Sequence, residues 1–314
     1  MKARTGVVIP NWNGVRHLEA CLTALRGQAD QDFGVVLVDN GSTDDSVSFV
    51  HDRFPEVQVL ELGRNVGFAA GMNAGIRACD TAYVAFLNND TEVAPDWLRE
   101  LVACLERHPK AASASSKMLD ASDPTVLDGA GDVLGPSFLP HPRGNGAPDR
   151  GQFDEDAEVF SASGGAALWR ADALHDIGLF DERFFLYYED VDLGYRAQRL
   201  GYECWYAARS VVLHHGSATL GKKSDVGLFH FVRNRWFLIL KNTPARLILR
   251  WLPGILVGDG YFWMIALKRR RFGVVLRAYR DLLRNAGYLR AERRGLAKRA
   301  RIDVRELERV IRLS

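Results

Sequence analysis

The segment GVVLVDNGSTDDS, residues Gly34–Ser46, indicates the class of fold. Its apolar, β-branched first part predicts a buried strand over Gly34–Asp39. Its second part is rich in Asn, Gly, Ser, Thr and Asp, the residues that form turns and cap helices. We therefore expect a strand that ends in an acid, followed by a turn and a helix at Asp45–Phe54.

The same alternation extends in both directions from this stretch. We predict strands at Gly6–Pro10, Val57–Leu62 and Ala82–Leu87, and helices at Val15–Leu25 and Ala70–Ala78. Apolar strands separated by helices indicate a parallel sheet covered on both faces, and such sheets bind ligands beyond the carboxyl ends of their strands. Three polar clusters occupy those positions: Pro10–Asn13, Asp39–Thr43 and Asn88–Asp90.

The second half of the chain is predicted to be less regular. Residues 120–157 are rich in Gly, Pro and Asp and are interpreted as loops with short strands. After them we expect a strand that enters the Ser-Gly-Gly turn of Val159–Trp169, then helices at Ala171–Ile177 and Glu189–Leu200. Strands are expected at Glu203–Tyr206 and Val211–His214. A loop is expected at 217–227, and helices from Leu228 onward.

The net charge of +2 conceals an uneven distribution. Residues 241–314 hold 19 Lys/Arg and 6 Asp/Glu, whereas residues 1–240 hold 22 and 33. A basic segment on an acidic body predicts contact with an anionic surface, either phospholipid or nucleic acid.

The cysteines form no CxxC pair and the first residues lack the pattern of a signal peptide, so we expect reduced thiols in a cytoplasmic protein.

Leu247–Leu267 is the most apolar stretch, and the basic run Lys268–Arg271 follows it directly. Charged residues and a proline interrupt it, so it lacks the roughly 20 uninterrupted apolar residues of a spanning helix. Aromatic residues beside a basic run suit a helix lying in the membrane interface, peripheral on the inner face of the cell membrane. The alternative is a helical subdomain that packs on the body and solvates its basic face. The Leu, Ile and Trp content favours lipid over nucleic acid, so no nucleic-acid partner is expected.

The segment FLNND, Phe86–Asp90, predicts a metal site. A carboxylate at the tip of a buried strand is costly unless it is paired. A divalent cation bridging that carboxylate and a diphosphate is a natural partner, because Mg²⁺ and Mn²⁺ prefer oxygen ligands. The alternative is an Asp that caps the helix following Pro95.

Three further motifs carry candidate site residues. Asp39 ends a strand, where it could bond to a pyrimidine N–H or cap a turn. The glycines of RNVGFAAGMNAG, which are Gly67, Gly71 and Gly75, let a helix start lie close to a ligand or pack against the sheet. The adjacent His214 and His215 end a strand and offer imidazole ligands, although such pairs are often structural.

The motif YYEDVDLGYR places acids at the start of a helix. Glu189 and Asp190 can face a cleft, where a carboxylate accepts a proton from an attacking hydroxyl. Asp192 and Arg196 can pair along the helix, four residues apart. The alternative is an ordinary acid-rich helix start that complements the helix dipole.

Taken in order, these motifs resemble family 2 glycosyltransferases of the GT-A fold, in the bacterial branch of rhamnosyltransferases and cell-wall glycan transferases. The resemblance covers residues 5–240. It rests on VVIPNWNG, VDNGSTDDS, RNVGFAAGMNAG, FLNND, HHGSAT and the long segment from SGGAALWR to LYYEDVDLGYR. It implies an α/β GT-A domain over 1–240, with a nucleotide-binding half at 1–118, an acceptor-binding half at 119–240, and a basic helical tail at 241–314.

The resemblance also implies roles for individual residues. Asn88-Asn89-Asp90 occupies the position of the family's DXD motif, which binds the metal. Because Asn88 replaces the first acid of that motif, Asp90 alone is the acidic metal ligand. His214, with His215 as the alternative, approaches the metal, which is Mn²⁺ or Mg²⁺. Asp190 is the catalytic base with Glu189 beside it. The donor-binding set is Pro10, Asn11, Asn13, Asp39, Asn65, Gly71, Asn73, Asn88, Asn89, Gly164, Gly165 and Lys222.

The implied activity is inverting transfer of a sugar from a nucleoside-diphosphate sugar to a glycan or lipid-linked glycan. The branch puts dTDP-rhamnose first as donor, ahead of UDP- and GDP-sugars, and leaves the oligomeric state open. A sugar nucleotidyltransferase is the competing enzyme class, but PNWNG after the first strand lacks the basic Gly-rich loop that a triphosphate needs. A carbohydrate-binding relative without activity is the third reading, and the presence of both Asp90 and Asp190 disfavours it.

Overall fold

A computed structural model describes residues 3–216 and 224–312. The strands are β1 Thr5–Asn11, β2 Phe33–Asp39, β3 Gln58–Glu61, β4 Tyr83–Leu87, β5 Thr91–Val93, β6 Ala111–Asp120, β7 Asp123–Ala130, β8 Asp132–Val133, β9 His141–Pro142, β10 Ala157–Val159, β11 Ala166–Arg170 and β12 Glu203–His214. The helices are α1 Val15–Arg26, α2 Ser46–Arg53, α3 Phe68–Ala78, α4 Trp97–Arg107, α5 Ala171–Ile177, α6 Glu189–Arg199, α7 Asp225–Asn242, α8 Ala245–Arg250, α9 Leu252–Arg269, α10 Phe272–Arg284, α11 Ala286–Arg299 and α12 Val304–Arg312, with a 3₁₀ turn at Glu182–Phe184.

The central sheet has the strand order β10-β12-β6-β11-β4-β1-β2-β3. β3, β2, β1, β4, β6 and β12 run in one direction, while β11 and β10 run the other way. β1 lies between β2 and β4, and Asn11 pairs in register with Asp39. The predicted α/β class, with a mostly parallel sheet, is confirmed, and the polar strand ends meet at one edge.

Alternation along the strands sends side chains to two separate cores. Val7 and Ile9 pack with α1, α2 and α4 on one face, whereas Val8 packs with α3, α5 and α6 on the other. This is the period-two pattern of a sheet that is buried on both faces. The strands and helices predicted up to Leu87 all form, with ends that differ by two residues or fewer.

The second half is more regular than the sequence predicts. β6 (AASASSKMLD) is rich in Ala and Ser, which give a weak strand signal, yet it lies buried between β11 and β12. Residues 120–157, expected as loops with short strands, contain the eight-residue β7 paired with β6. The two strands expected at Glu203–Tyr206 and Val211–His214 are one strand, β12, with an irregularity between Ala207 and Val211. Pairing with β6 keeps that strand continuous.

The C-terminal helices pack on the α/β body that contains the central sheet. One apolar core joins Leu134, Phe160 and Val191 to Phe237 and Leu289, which lie on either side of the predicted boundary at residue 240. Within the described ranges, no helix is both long enough and apolar enough to cross a bilayer.

Candidate active site

A cavity of about 470 Å³ opens at the carboxyl ends of β1, β2 and β4. Its walls include Asn11, Asn40 and Asn88, which end or follow these strands. The opposite elements contribute Asp190 at the start of α6 and His214 at the end of β12. The cavity therefore lies where the sheet's strand ends predict a ligand site.

Asparagine side chains tie the strand ends together. The Nδ2 of Asn11 donates to Asp39 Oδ1 at 3.3 Å and to Ser42 Oγ at 3.2 Å. The Nδ2 of Asn89 donates to Asn11 Oδ1 at 2.7 Å. The residues that follow β1, β2 and β4 are thus fixed relative to one another before any ligand binds.

Two more asparagines order the neighbouring loops. Asn13 adopts a left-handed conformation, with φ 52°, and its Oδ1 accepts from the Thr43 N–H at 2.7 Å. The Oδ1 of Asn40 accepts from the Val66 N–H at 2.8 Å, and its Nδ2 donates to the Gly67 carbonyl at 3.1 Å. This end of the cavity is therefore an ordered polar surface, with Arg16 also in its lining, which suits a nucleotide.

His214 lies between two carboxylates. Its Nε2 is 3.4 Å from Asp90 Oδ1, and its Nδ1 is 2.8 Å from Asp128 Oδ2. Pairing of β5 with β12 sets His214 opposite Thr91, the residue after Asp90. Burial alone would lower the pKa of His214, but the hydrogen bonds to Asp128 and Asp90 outweigh it and raise the pKa to about 10.

This donor set fits a divalent cation, which would displace the Nε2 proton that the two carboxylates stabilise on His214. A carboxylate oxygen and an imidazole nitrogen are ligands that Mn²⁺ accepts, and Mg²⁺ is held by carboxylates together with phosphate oxygens. A carboxylate on the far ring nitrogen is the usual orienting partner of a metal-bound histidine, and Asp128 occupies that position. A separate group of metal-type ligands, Cys104, His108 and Asp156, does not line the cavity, and Asp156 is already ion-paired with Arg107.

Glu189 and Asp190 begin α6 and both line the cavity. The Oδ2 of Asp190 accepts from the Gly164 N–H at 3.0 Å, and its Oδ1 accepts from the Val191 N–H at 2.8 Å. Burial raises the pKa of Asp190, and these backbone hydrogen bonds partly oppose that rise. Burial, followed by the charge of Asp190, raises the pKa of Glu189 well above its usual range. A fixed carboxylate of raised basicity suits a general base.

A third buried acid, Asp132, lines the same cavity. Burial and then the negative charge of Asp190 raise the pKa of Asp132 well above its usual range. Two like charges so close together do not both form readily. The two carboxyl groups together therefore retain a proton to higher pH than an isolated aspartate does.

The segment before the acids is held in an uncommon conformation. Phe185, Tyr187 and Tyr188 all have left-handed backbones, with φ of 65°, 67° and 73°. The buried Asn234 on α7 clamps this segment. Its Nδ2 lies 2.9, 2.8 and 2.7 Å from three carbonyl oxygens, those of Phe184, Leu186 and Tyr187.

Gly67 supports the same segment from α3. A Cβ at Gly67, where φ is 89°, would lie 2.5 Å from the Phe185 ring. The Phe68 N–H also donates to the Phe185 carbonyl at 2.7 Å. Left-handed conformations of aromatic residues are costly and persist only where the surroundings enforce them. Helices α3 and α7 therefore together fix the approach to Glu189 and Asp190.

Most of the predicted site residues line this cavity. They are Pro10, Asn11, Asn13, Asn65, Asn88, Asn89, Asp90, Gly164, Gly165, Glu189, Asp190 and His214. His215, the alternative metal-proximal residue, pairs with Glu92 at 2.6 Å and does not line the cavity. Lys222 lies outside the described residues.

Three predicted donor-site residues do not reach the cavity wall: Asp39, Gly71 and Asn73. Asp39 accepts hydrogen bonds from Asn11 and from the Ser42 N–H. Gly71 packs inside α3, beside Asn40. The amide of Asn73 is bonded to Phe180 and Glu182, so its partners are protein groups.

Sequence reasoning missed four residues of this site. Trp12 lines the cavity and is 38% exposed, and it stands within the quoted PNWNG. Asp128 and Asp132 bound DGAGD, whose paired acids around small residues were the available signal. Asn234 gives no local signal, because its partners lie 47 to 50 residues away along the chain.

Residues 6–178, more than half of the chain, match the family model described as glycosyl transferase family 2. The chain belongs to glycosyl transferase family 2. This membership makes it a glycosyltransferase and removes the nucleotidyltransferase reading.

Similar proteins agree with this assignment. The glycosyltransferase is 29% identical over 237 residues to the N-acetylglucosaminyl-diphospho-decaprenol L-rhamnosyltransferase of Mycobacterium tuberculosis (strain ATCC 25618 / H37Rv), covering 69% of this chain and 77% of that protein. It is 30% identical over 219 residues to the pre-mycofactocin glycosyltransferase of the same organism, covering 66% of this chain and 42% of that protein.

Solved structures share the GT-A fold. The crystal structure of S. aureus TarS 1-349 in complex with UDP-GlcNAc matches with a TM-score of 0.59 at 19% identity, covering 100% of this chain and 92% of that one. GalNAc-T7 with UDP, GalNAc and Mn²⁺ matches with a TM-score of 0.60 at 18% identity, covering 76% and 47%. At these identities the likeness establishes the fold.

Proposed function

We propose that this glycosyltransferase moves a sugar, with inversion, from a nucleoside-diphosphate sugar to a glycan or lipid-linked glycan in bacterial polysaccharide synthesis. The observation that carries the proposal is that Asp90 and Asp190 line one cavity, together with the asparagines at the strand ends. The cation-binding acid and the base therefore have access to the same bound sugar.

The foremost donor is dTDP-rhamnose. The mycobacterial relative is named as an L-rhamnosyltransferase that acts on N-acetylglucosaminyl-diphospho-decaprenol, and the match covers 77% of its length. A related acceptor for this chain is a sugar on a polyprenyl diphosphate. UDP- and GDP-sugars come second, because TarS binds UDP-GlcNAc and a mannosyltransferase of similar fold, PcManGT, binds GDP-Man.

The nucleotide occupies the asparagine-lined end of the cavity. Asn11, Asn13 and Asn65 form its walls, and Trp12 offers an aromatic face for stacking. Asp39 acts there through Asn11 and the Ser42 N–H, which it holds in place.

Asp90 and His214 hold a divalent cation, Mn²⁺ or Mg²⁺. When bound there, the cation supplies positive charge to the departing diphosphate. Asp128 keeps the Nε2 of His214 turned toward Asp90.

Asp190 removes the proton from the acceptor hydroxyl. The hydroxyl oxygen forms a bond to the anomeric carbon from the face opposite the diphosphate, and the bond from that carbon to the diphosphate oxygen breaks. The nucleoside diphosphate leaves with the electron pair, and a single displacement inverts the anomeric centre. The Gly164 N–H holds Asp190 in place for this step.

A donor screen tests the proposal. The full chain is heated with dTDP-rhamnose, UDP-GlcNAc or GDP-mannose in Mn²⁺ or Mg²⁺, because a true ligand raises the thermal midpoint by mass action. Transfer is then followed on an N-acetylglucosaminyl-diphospho-prenol acceptor, with the anomeric configuration of the product read by NMR. We expect dTDP-rhamnose to raise the thermal midpoint most and its rhamnose to be transferred with inversion. A product of retained configuration, or no stabilisation by any sugar nucleotide, contradicts the proposal.

A further inference from the structure

Helix α9 is apolar on its outer side as well as on its buried side. Its buried side packs Ile255, Phe262 and Ala266 into the protein. Its outer side, which we name the α9 outer face, consists of Leu252, Leu256, Val257, Tyr261, Met264 and Leu267, all exposed. Val257 is 71% exposed and Leu267 is 63% exposed. A surface helix of a globular protein normally carries polar residues on this side.

The α9 outer face is continuous along the helix. Its members recur three or four residues apart over Leu252–Leu267, except for the adjacent Leu256 and Val257, and lie on one half of the helix circumference. They span about 22 Å at 1.5 Å per residue. The charged residue within that span, Asp259, points inward and bonds to Arg235, Trp236 and Tyr279. The outer side therefore offers water an uninterrupted apolar strip.

Basic residues bracket this strip at both ends. Arg246 and Arg250 precede it, and Lys268–Arg271 follow it, all exposed. Arg250 is ion-paired with Glu308, and Arg271 is ion-paired with Asp225. α10 continues the pattern, since its exposed Leu276 and Leu283 alternate with Arg277, Arg280 and Arg284. The other acid of this region, Asp281, is turned inward and pairs with Arg233. The described surface of 245–284 thus combines apolar and cationic side chains without a fully exposed acid.

We propose that the α9 outer face and its bracketing basic residues bind the surface of an anionic phospholipid bilayer. Apolar side chains enter the boundary between headgroups and acyl chains, while Lys and Arg remain at the headgroups. A second copy of the chain is a poor occupant. Whether two α9 helices pack parallel or antiparallel, basic ends meet basic ends, and like charges in contact oppose association.

Helix α9 packs against a loop that leads to the cavity, and the consequence for the acceptor rests on the proposed function. α9 presses through Gly254 and Gly258 against Pro136 and Ser137, whose carbonyl oxygens would be 2.9 and 2.6 Å from an added Cβ. The same loop leads to Pro142, which lines the cavity. A bilayer on α9 would therefore hold a lipid-linked acceptor close to the site.

Vesicle flotation of the full chain tests the proposal. The probes are phosphatidylcholine vesicles with and without phosphatidylglycerol, at low and high salt. We expect binding to the anionic vesicles that weakens with salt, since salt screens the basic residues. Leu256→Ser/Leu267→Ser should lower the partition coefficient about tenfold or more, because two apolar side chains no longer enter the interface. Lys268→Gln/Arg270→Gln should lower it by a similar factor, and on anionic vesicles alone.

Matched controls separate this surface from general effects. Val226→Ser replaces an exposed apolar residue outside α8–α10, and Arg53→Gln/Arg99→Gln removes two charges from exposed sites of the N-terminal half. Both controls should bind vesicles like the wild type. Thermal melting verifies that every variant folds.

Three outcomes overturn the proposal. They are absence of vesicle binding by the wild type, equal binding to neutral and anionic vesicles, and concentration-dependent dimers that Leu256→Ser/Leu267→Ser disperses. Transfer to a short-chain, water-soluble acceptor is measured in parallel. If the wild-type protein does not bind vesicles but transfers sugar to the soluble acceptor, the membrane surface is refuted and the transferase function stands. If the wild-type protein binds vesicles but transfers no sugar, the transferase function is refuted and the membrane surface stands.

Discussion

The Nε2 of His214 lies 3.4 Å from the Oδ1 of Asp90, close enough for both atoms to bind one cation. This contact joins the end of β12 to the residues after β4, so the cation site forms only when these distant parts of the chain pack together. The opposite ring nitrogen is already held by Asp128. The pair is therefore oriented in advance for a metal.

Asp90→Ala should abolish the Mn²⁺-dependent part of donor binding, because it removes the carboxylate ligand. Calorimetric titration of the sugar nucleotide with and without Mn²⁺ measures this part directly. Asp52→Ala, at an exposed acid of α2 that does not line the cavity, is the matched control. If the Asp90 variant still binds donor more tightly with Mn²⁺ than without, the cation lies elsewhere.

Asp190→Asn should lower kcat by at least about 10²-fold, the lower end of general-base contributions, while nucleotide binding stays nearly intact. The amide keeps the size of the carboxylate but does not accept the hydroxyl proton. Single-turnover transfer and nucleotide calorimetry separate the two effects. An Asp190→Asn enzyme of normal rate would exclude this residue as the base.

Asp132→Asn should leave kcat near that of the wild type at neutral pH, because the proposed base is Asp190, which the Gly164 and Val191 N–H groups hold in place. The substitution should also raise the thermal midpoint of the protein at neutral pH. The raised pKa of Asp132 means that its contribution to folding is present below the unfolded pKa of about 3.9 and is lost as pH rises through the folded pKa. The variant's advantage in thermal midpoint should thus appear at neutral pH and disappear near pH 4. A drop in kcat comparable with that of Asp190→Asn would show instead that Asp132 works as an ionised group.

The sequence was most informative where chemistry follows a strand end. Asp90 could be placed because an acid at the tip of a buried strand needs a partner, and Asp190 because acids open a helix behind an aromatic run. Both positions are local, and both side chains line the cavity.

Long-range packing limited the rest of the prediction. β6 is a strand because β11 and β12 pair with it, although its Ala and Ser residues favour no strand by themselves. Asp132 enters the site through the bonding of its backbone to Phe160 and Ser161, across a segment that composition alone presents as loop. Asn73 looked like a donor contact by its place in the motif, but its amide is taken by Phe180 and Glu182.

Asp192→Asn should destabilise the fold by about 3–5 kcal/mol, the usual cost of breaking a buried ion pair. The predicted pair with Arg196 is confirmed at 2.8 Å, and Lys241 also donates to the fully buried Asp192 at 2.9 Å. Burial would raise the pKa of Asp192, but Lys241 and Arg196 outweigh it and lower the pKa.

A depressed pKa gives the opposite pH dependence to that of Asp132. The stabilisation from Asp192 is present above the unfolded pKa and is lost as pH falls through the folded pKa. Urea denaturation at neutral and acidic pH measures the free energy of unfolding of both proteins. The difference between wild type and Asp192→Asn should be smaller at acidic pH than at neutral pH. Asp52→Asn, an exposed acid on α2, serves as the control. If the two proteins have equal free energies of unfolding at neutral pH, then Arg196 and Lys241 find other partners in the variant.

Asn234→Asp should lower kcat by about 10²-fold while the KM for donor changes little. The carboxylate has the shape of the amide but lacks the Nδ2 protons that hold the carbonyls of Leu186 and Tyr187. The left-handed segment then relaxes and displaces Asp190, and a misplacement of about 1 Å costs this much in rate. The nucleotide end is built from other loops, so donor binding by calorimetry should persist. Gln58→Glu, the same exchange of amide for acid at an exposed position of β3 outside the cavity, is the matched control. A variant that melts earlier yet keeps its kcat would show that Asn234 only stabilises the fold and does not position the base.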